Sequence, residues 1–274
     1  MSALDIIIVS YNTRALLEDC LRSLHDRAPQ VAHEITVVDN ASGDGSVEAV
    51  RSRWPRVRVV EAGENIGYAR ANNLAIRQTT RDLVLLLNSD TVVPAGAVDR
   101  LVSALEAADD VVAVGPRLVD AEGSVELSFG PMISPFSELI QKCKGAALVR
   151  QTPVVGSWVE EALNRPGHPD WVSGACLLVR RQSAEAVGLL DERFFLYGED
   201  VDFCAALRQH GRLLFTPEVE VVHRGGRSGS TAPEHTRAHY RRSQLAFYAK
   251  HHPAWVPALR LYLRMRGHLP PRLL

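Results

Sequence analysis

Residues 85–93 read LLLNSDTVV, a run of strand-forming apolar residues that stops abruptly at Asn88-Ser89-Asp90. A carboxylate at the end of a buried strand is costly unless something compensates it. A metal ion is one such partner, and the N-terminus of a helix beginning at Pro94 is the other. The choice depends on what the rest of the chain brings to the same place.

Around this stretch the first 115 residues alternate between short β-branched runs and segments of helical period. Ile6-Ile7-Ile8-Val9 reads as a buried strand, and in TRALLEDCLRSLHDRA the residues Leu16, Leu17, Cys20, Leu21 and Leu24 share one helical face. EITVVDN is a second strand, GSVEAVRSRW a helix stopped by Pro55, VRVVEAG a third strand, ARANNLAIRQTT a helix, and DLVLLLN the fourth strand. PAGAVDRLVSALEA and VVAVGP continue the alternation. This β-α-β pattern predicts an α/β fold, a Rossmann-like mainly parallel sheet flanked by helices on both faces. Ligands of such sheets sit beyond the carboxyl ends of the strands. The residues there are Ser10-Tyr11-Asn12, Asp39-Asn40, Asn65-Ile66-Gly67 and Asn88-Ser89-Asp90, four polar ends positioned to share one crevice.

Size and charge narrow the class. A chain of 274 residues with 46% hydrophobic content can bury a large core, and a net charge of -1 argues against a nucleic-acid binder driven by overall charge. Cys20, Cys143, Cys176 and Cys204 are widely spaced, which suggests neither a zinc module nor a disulfide scaffold. No apolar run approaches the ~20 residues that span a bilayer, so the expected location is the cytoplasm.

From 116 to about 170 the alternation fades. DAEGSVEL suggests a hairpin, and 130–168 reads as a long loop or lid with some helix. DWVSGACLLVRR then reads as a strand, SAEAVGLLD as a short helix, GEDVDFCAALRQHG as a longer helix capped by Gly211, and RLLFTPEVEVVHRGG as strands ending at His223. The tail from 231 to 274 mixes arginines with Tyr, Phe, Trp and Leu at helical spacing. It fits either a basic amphipathic surface for anionic lipid at the inner face of the plasma membrane, or a helix packed on the domain with its arginines solvated.

Two further clusters carry chemistry. Glu199, Asp200 and Asp202 lie at the start of a helix, where carboxylates favour the dipole without any function. Three acids in four positions also repel one another, which raises the pKa of at least one and suits it to be a general base. His223 ends a strand beside a Gly-rich loop, where a neutral imidazole can serve as a metal ligand with Arg224 or Arg227 closing over a phosphate.

Taken in order, IIIVSYN, VVDNAS, NIGYARANN, LLLNSD, WVSGACLLVRR, YGEDVDF and VVHRGG resemble the family 2 inverting glycosyltransferases of the GT-A fold, and within them the bacterial rhamnosyltransferases. The resemblance spans residues 4 to 228. It implies a GT-A domain over 1–230, with a nucleotide-binding half (1–115) and an acceptor-side half (116–230), followed by the helical tail. It further implies that Ser10, Tyr11, Asn12 and Asp39 hold the nucleotide base and ribose, and that Asn65, Gly67 and Asn73 line the nucleotide cleft. NSD stands in place of the family's DXD motif, so Asp90 with His223 would bind Mg²⁺ or Mn²⁺ on the donor diphosphate. Asn88 departs from the acidic first position and would hydrogen-bond the ribose or a metal-bound water. Glu199-Asp200 matches the family's ED motif, making Asp200 the catalytic base, with Asp202 capping the helix or supporting its neighbour. Trp171, Val172 and Gly174 would form the floor under sugar and acceptor, and GGRSGS the closing lid.

The implied partners are a nucleotide-sugar donor, dTDP-rhamnose or a UDP-sugar, and a glycan or lipid-linked acceptor, with no nucleic acid and with peripheral membrane association resting on the tail. A nucleotidyltransferase is the reading from another enzyme class, but its Gly-rich basic loop is replaced here by SYNTRALL after the first strand. An inactive binding module would be expected to lack the acids at 199–202 or His223. A dinucleotide-binding dehydrogenase fails because GxGxxG does not follow the first strand.

Overall fold

Strand β1 (Leu4–Ser10) is buried at all seven positions, as a central strand covered on both faces must be. Its side chains alternate between two cores. Leu4, Ile6 and Ile8 join a cluster with Leu17, Cys20, Leu21 and Leu24 of α1 (Arg14–Asp26), Val50 of α2 (Ser46–Arg53) and Leu101 of α4 (Ala97–Glu106). Ile7 and Val9 face a second cluster with Ala71 and Ala75 of α3 (Tyr68–Ile76) and Phe203 of α6 (Glu199–Leu207). The period of two in β1 thus decides which helices cover which face.

In this computed structural model, residues 2–134, 137, 163–225 and 234–268 are described. One sheet of eight strands runs β3-β2-β1-β4-β9-β6-β10-β5. Four of its seven pairings are parallel. β2 (His33–Asp39) and β4 (Leu83–Asn88) flank β1, and β3 (Arg58–Glu61) lies outside β2. The chain moves outward from β1 through β2 to β3, then returns to place β4 on the other side of β1. That reversal opens a crevice at the carboxyl ends of β1 and β4, where α/β sheets bind ligands.

The second half mixes directions. β9 (Cys176–Arg180) runs antiparallel between β4 and β6 (Val111–Val119), and β10 (Arg212–His223) runs parallel to β6. A two-residue strand, β5 (Thr91–Val92), pairs antiparallel with the end of β10, setting Thr91 opposite His223. The sequence offers no signal for so short a strand, yet it is what carries His223 to Asp90.

Several expectations need correction. DWVSGACLLVRR is not one strand. β8 (Trp171–Val172) pairs with β7 (Phe129–Gly130) in a separate two-stranded sheet, and β9 starts only at Cys176. Between them the Ser173 amide still donates to the Ser128 carbonyl in the β7–β8 register, but the Gly174 amide donates to Asp200 and leaves the ladder. Arg181 opens the short helix α5 (Arg181–Ala186) instead of closing the strand. Gly211 does not cap α6, which ends at Leu207; a Cβ there would lie 2.5 Å from the Asp110 carbonyl oxygen, so the glycine serves a close backbone approach. The helix cap proposed for Asp90 is also excluded, since α4 begins at Ala97 behind Gly96. The hairpin at DAEGSVEL is present, its turn held by the Asp120 carboxylate accepting from the Glu122 and Ser124 amides. Most of the segment 130–168 and Cys143 lie outside the described residues.

The tail packs on the domain. From α7 (Glu234–His251), Phe247 and Tyr248 are buried against Phe194 and Val201, and Lys250 and His251 both bond Asp202 of α6, at 2.8 and 2.7 Å. α8 (Val256–Met265) follows after a short 3₁₀ turn.

A buried ion pair locks the lower edge of the sheet. Asp5, 1% exposed inside the apolar β1, accepts from Arg181 Nη2 at 2.8 Å, while Arg181 also donates to Ile76 and Thr79. Removing one partner of such a pair strands the other charge without water. Asp5→Ala is therefore expected to lower the unfolding free energy by about 3 kcal/mol or more in urea titration, whereas a loss within ~0.5 kcal/mol, the range of ordinary surface changes, would show that Arg181 is satisfied without it.

Candidate active site

The parallel register sets Ser10 opposite Asp39 and Val9 opposite Asn88, so three polar strand ends lie level. A chain of hydroxyls crosses the crevice: Ser10 Oγ is 3.0 Å from Thr13 Oγ1, which is 2.9 Å from Ser89 Oγ. Thr13 follows the SYN stretch directly but was not singled out by its sequence. Asn12, at φ 53°, accepts from the Gly43 amide and donates its own amide to Ser42, and so holds the loop after β2. Asp39 is buried; one carboxylate oxygen accepts from the Ser42 amide, and the other has no protein partner. Tyr11 stays exposed beside them.

The three residues expected along the nucleotide cleft each have close neighbours in the protein, and only Asn73 is fully taken up by them. The Asn65 side chain accepts from the Gly67 amide. Gly67, at φ 84°, lies so near Phe195 that a Cβ would come within 2.5 Å of its carbonyl oxygen. The backbone approach and the positive φ by themselves require glycine there. Asn73 is fully buried, with its amide bonded to both the N–H and C=O of Leu190 and to Glu192. Asn73 thus braces the segment leading into α6.

Asp90 and His223 do meet. His223 Nε2 is 3.3 Å from Asp90 Oδ1 and 3.3 Å from the Asn88 amide nitrogen. On its other side, His223 Nδ1 is 2.9 Å from Glu126 Oε2. Burial pulls the imidazole pKa down, but its bonds to Asp90 and Glu126 outweigh this and hold it at about 10. Glu126 sits 97 residues before His223 and is brought there by the hairpin after β6; nothing in its local sequence marks it. A Cβ on Gly225 would lie 1.8 Å from Asp90 Oδ2, so this glycine keeps the carboxylate's space open. Among the described residues no three His, Cys, Asp or Glu side chains form a complete cation cage. The pair offers one carboxylate and one imidazole, a donor set suited to a divalent cation whose remaining positions a diphosphate and water complete. Arg224 is not directed at such a diphosphate, because its guanidinium pairs with Asp19 of α1. Arg227 and the rest of GGRSGS after Gly225 lie outside the described residues.

The acids of α6 have three different environments. Asp200 accepts from the Gly174 and Val201 amides, each at 2.9 Å; burial raises its pKa and these bonds moderate the rise. Glu199 is buried with one oxygen unpartnered, and burial together with the Asp200 charge pushes its pKa well up. Asp202 caps nothing; it is the anchor for Lys250 and His251. Tyr68 donates to the Gly174 carbonyl at 2.9 Å, and burial and the charges of Glu199, Asp200 and Asp90 raise its phenol pKa. Tyr68 thus ties α3 to the same Gly174 whose amide holds Asp200. Immediately before α6, Tyr197 takes a φ of 69°, a backbone strain commonly stored at working sites. Trp171 and Val172 border this region, the indole donating to the Pro131 carbonyl.

The sheet order, with its crevice beyond β1 and β4, is the GT-A fold of glycosyltransferases. The fold is that of a mannosyltransferase from Pyrobaculum calidifontis solved with GDP-Man and Mn²⁺, with a TM-score of 0.62, 20% identity, and coverage of 93% of this chain and 67% of that one. GalNAc-T7 solved with UDP, GalNAc and Mn²⁺ also scores 0.62, at 17% identity, over 89% of this chain and 48% of that one. The model of glycosyl transferase family 2 matches residues 5–185, and the chain belongs to that family. It is 33% identical over 287 residues to the N-acetylglucosaminyl-diphospho-decaprenol L-rhamnosyltransferase of Mycobacterium tuberculosis, covering 98% of this chain and 93% of the relative. A low-salt glycan biosynthesis hexosyltransferase of Haloferax volcanii is 27% identical over 75% of this chain and 62% of its own.

Glu199 gives the site a pH signature. Below the ordinary carboxyl value of 4.5 the group is protonated in both folded and unfolded chains. Above it the unfolded chain ionises while the folded one retains the proton up to its raised pKa, so stability falls as pH climbs. Glu199→Gln removes that loss. Between about pH 5 and pH 8 the melting temperature of the variant should move upward relative to wild type; a constant difference would mean that Glu199 ionises normally in the fold.

Proposed function

We propose that this chain is an inverting, divalent-cation-dependent glycosyltransferase that moves L-rhamnose from dTDP-L-rhamnose to a lipid-linked glycan acceptor. The observation that carries the chemistry is the Asp200 carboxylate, desolvated and clamped by the Gly174 and Val201 amides. Likeness along nearly the full length to the mycobacterial L-rhamnosyltransferase supports the donor sugar and the acceptor class.

On this reading the acceptor hydroxyl gives its proton to Asp200 while its oxygen bonds to the anomeric carbon. The carbon–oxygen bond to the donor diphosphate breaks on the opposite face, and the electron pair leaves with the diphosphate. A β-linked donor then yields an α-glycoside. Desolvation makes Asp200 a stronger base than an ordinary aspartate, and the Gly174 and Val201 amides hold it in place. Asp90 and His223 would hold Mg²⁺ or Mn²⁺, with Glu126 on Nδ1 leaving Nε2 for the ion. When bound, the cation supplies positive charge to the departing diphosphate. Asn88 would hydrogen-bond the ribose.

The unpartnered Asp39 oxygen suits the imide N–H of a pyrimidine base. Thymine and uracil share that edge, so a UDP-hexose donor is the second reading.

Calorimetric titration with dTDP and with UDP, each with Mn²⁺ and with EDTA, tests the donor side. Binding should require the metal and favour dTDP, and Asp90→Ala should weaken it about tenfold or more; unchanged affinity in that variant would remove Asp90 from the ion site. Asp200→Asn should keep nucleotide affinity while transfer from dTDP-rhamnose falls about 100-fold or more. Transfer at the wild-type rate would place the base elsewhere.

A further inference from the structure

The last described helix presents a second, exposed apolar face. On its inner side, Val256 and Leu259 pack against the cluster of Phe194, Val201, Phe247 and Tyr248, and Leu263 is completely buried. On its outer side Leu261, Tyr262 and Met265 are 61, 47 and 79% exposed, with Trp255 exposed at its start. These four are most of the large hydrophobic residues exposed in the described chain, gathered within eleven positions. At 100° per residue, positions 255, 258, 261, 262 and 265 form one stripe on the side away from 256, 259 and 263. Arg260, Arg264 and Arg266 border it.

Charge identifies the occupant. Residues 235–274 contain eight Lys and Arg and no Asp or Glu, although the whole chain has a net charge of -1. Lys250 is committed to Asp191 and Asp202, whereas Arg260, Arg264 and Arg266 are exposed around the apolar stripe. A second copy meeting this face with the same face would oppose arginines to arginines with no carboxylate between them. Among the described residues no helix is long and apolar enough to cross a membrane. An exposed apolar stripe bordered by cations fits a helix lying in the headgroup boundary of an anionic bilayer.

We infer that the outer face of α8 rests on an anionic phospholipid surface. Leu261, Tyr262 and Met265 enter the headgroup layer, and Arg260, Arg264 and Arg266 meet the lipid phosphates. The cluster that carries α8 also contains Val201, next to Asp200, so the docked face is one packing layer from the base helix. The inference depends on neither the donor nor the acceptor proposed above.

Vesicle sedimentation of the full chain tests it, using phosphatidylcholine alone and phosphatidylcholine mixed with phosphatidylglycerol. Deleting the tail would be uninformative, because Lys250 and His251 support Asp202. The variants are Leu261→Ser with Met265→Ser, and Arg260→Glu with Arg264→Glu, all at exposed positions. Wild type should pellet with the anionic vesicles in preference to the neutral ones. Each double variant should lower that partitioning about tenfold while melting temperature and Mn²⁺-dependent nucleotide binding stay unchanged. Equal partitioning of wild type and variants overturns the inference, as does failure of wild type to pellet with anionic vesicles. Sedimentation velocity provides the remaining arm: a wild-type dimer that Leu261→Ser with Met265→Ser converts to monomer would assign the face to a second copy instead.

Discussion

The parallel pairing of β1 with both β2 and β4 is the constraint on which the rest depends. Its register brings Ser10, Asp39 and Asn88 to one level, and the reversal of strand order leaves a gap beyond them. β1 can occupy that position because all seven of its residues tolerate burial, including Asp5, whose charge Arg181 meets from α5. Slipping the register by one residue would turn every side chain of β1 to the opposite core. The polar strand ends would then no longer face one another.

The two ends of the site are held by different physics. Asp90 is placed by a two-residue strand and by the close approach of Gly225, so it depends on the last strand of the sheet arriving at the right height. Asp200 is placed by amides, one from its own helix and one from the break between β8 and β9. That break takes the Gly174 amide out of the ladder and delivers it to a carboxylate. Glu126 completes the arrangement by fixing the far side of the His223 ring, as a carboxylate commonly does for an imidazole that serves as a ligand.

The tail divides its residues between two tasks. In α7 Leu245, Phe247 and Tyr248 turn inward, and Asp202 takes both Lys250 and His251. In α8 only one stripe turns inward. The packed-helix reading therefore describes α7, and α8 adds to its packed stripe the exposed apolar face on which the lipid proposal rests.

The sequence by itself determined the α/β alternation of the first 115 residues, the polar strand ends, and the acid triplet at the start of α6. Those features are local: burial on both faces produces runs such as IIIV and LVLLL, and chain stops produce Asn, Asp and Gly. Only the tertiary structure decided the partnerships. Glu126 reaches His223 across 97 residues, Asp202 reaches Lys250 across 48, and Asn73 is occupied by Leu190 and Glu192 instead of facing a ligand. A periodic pattern reports how deeply a residue is buried, but not which distant backbone group or charge meets it there. That depends on strand order and register, which make Gly67 a neighbour of Phe195 and set Thr91 against His223.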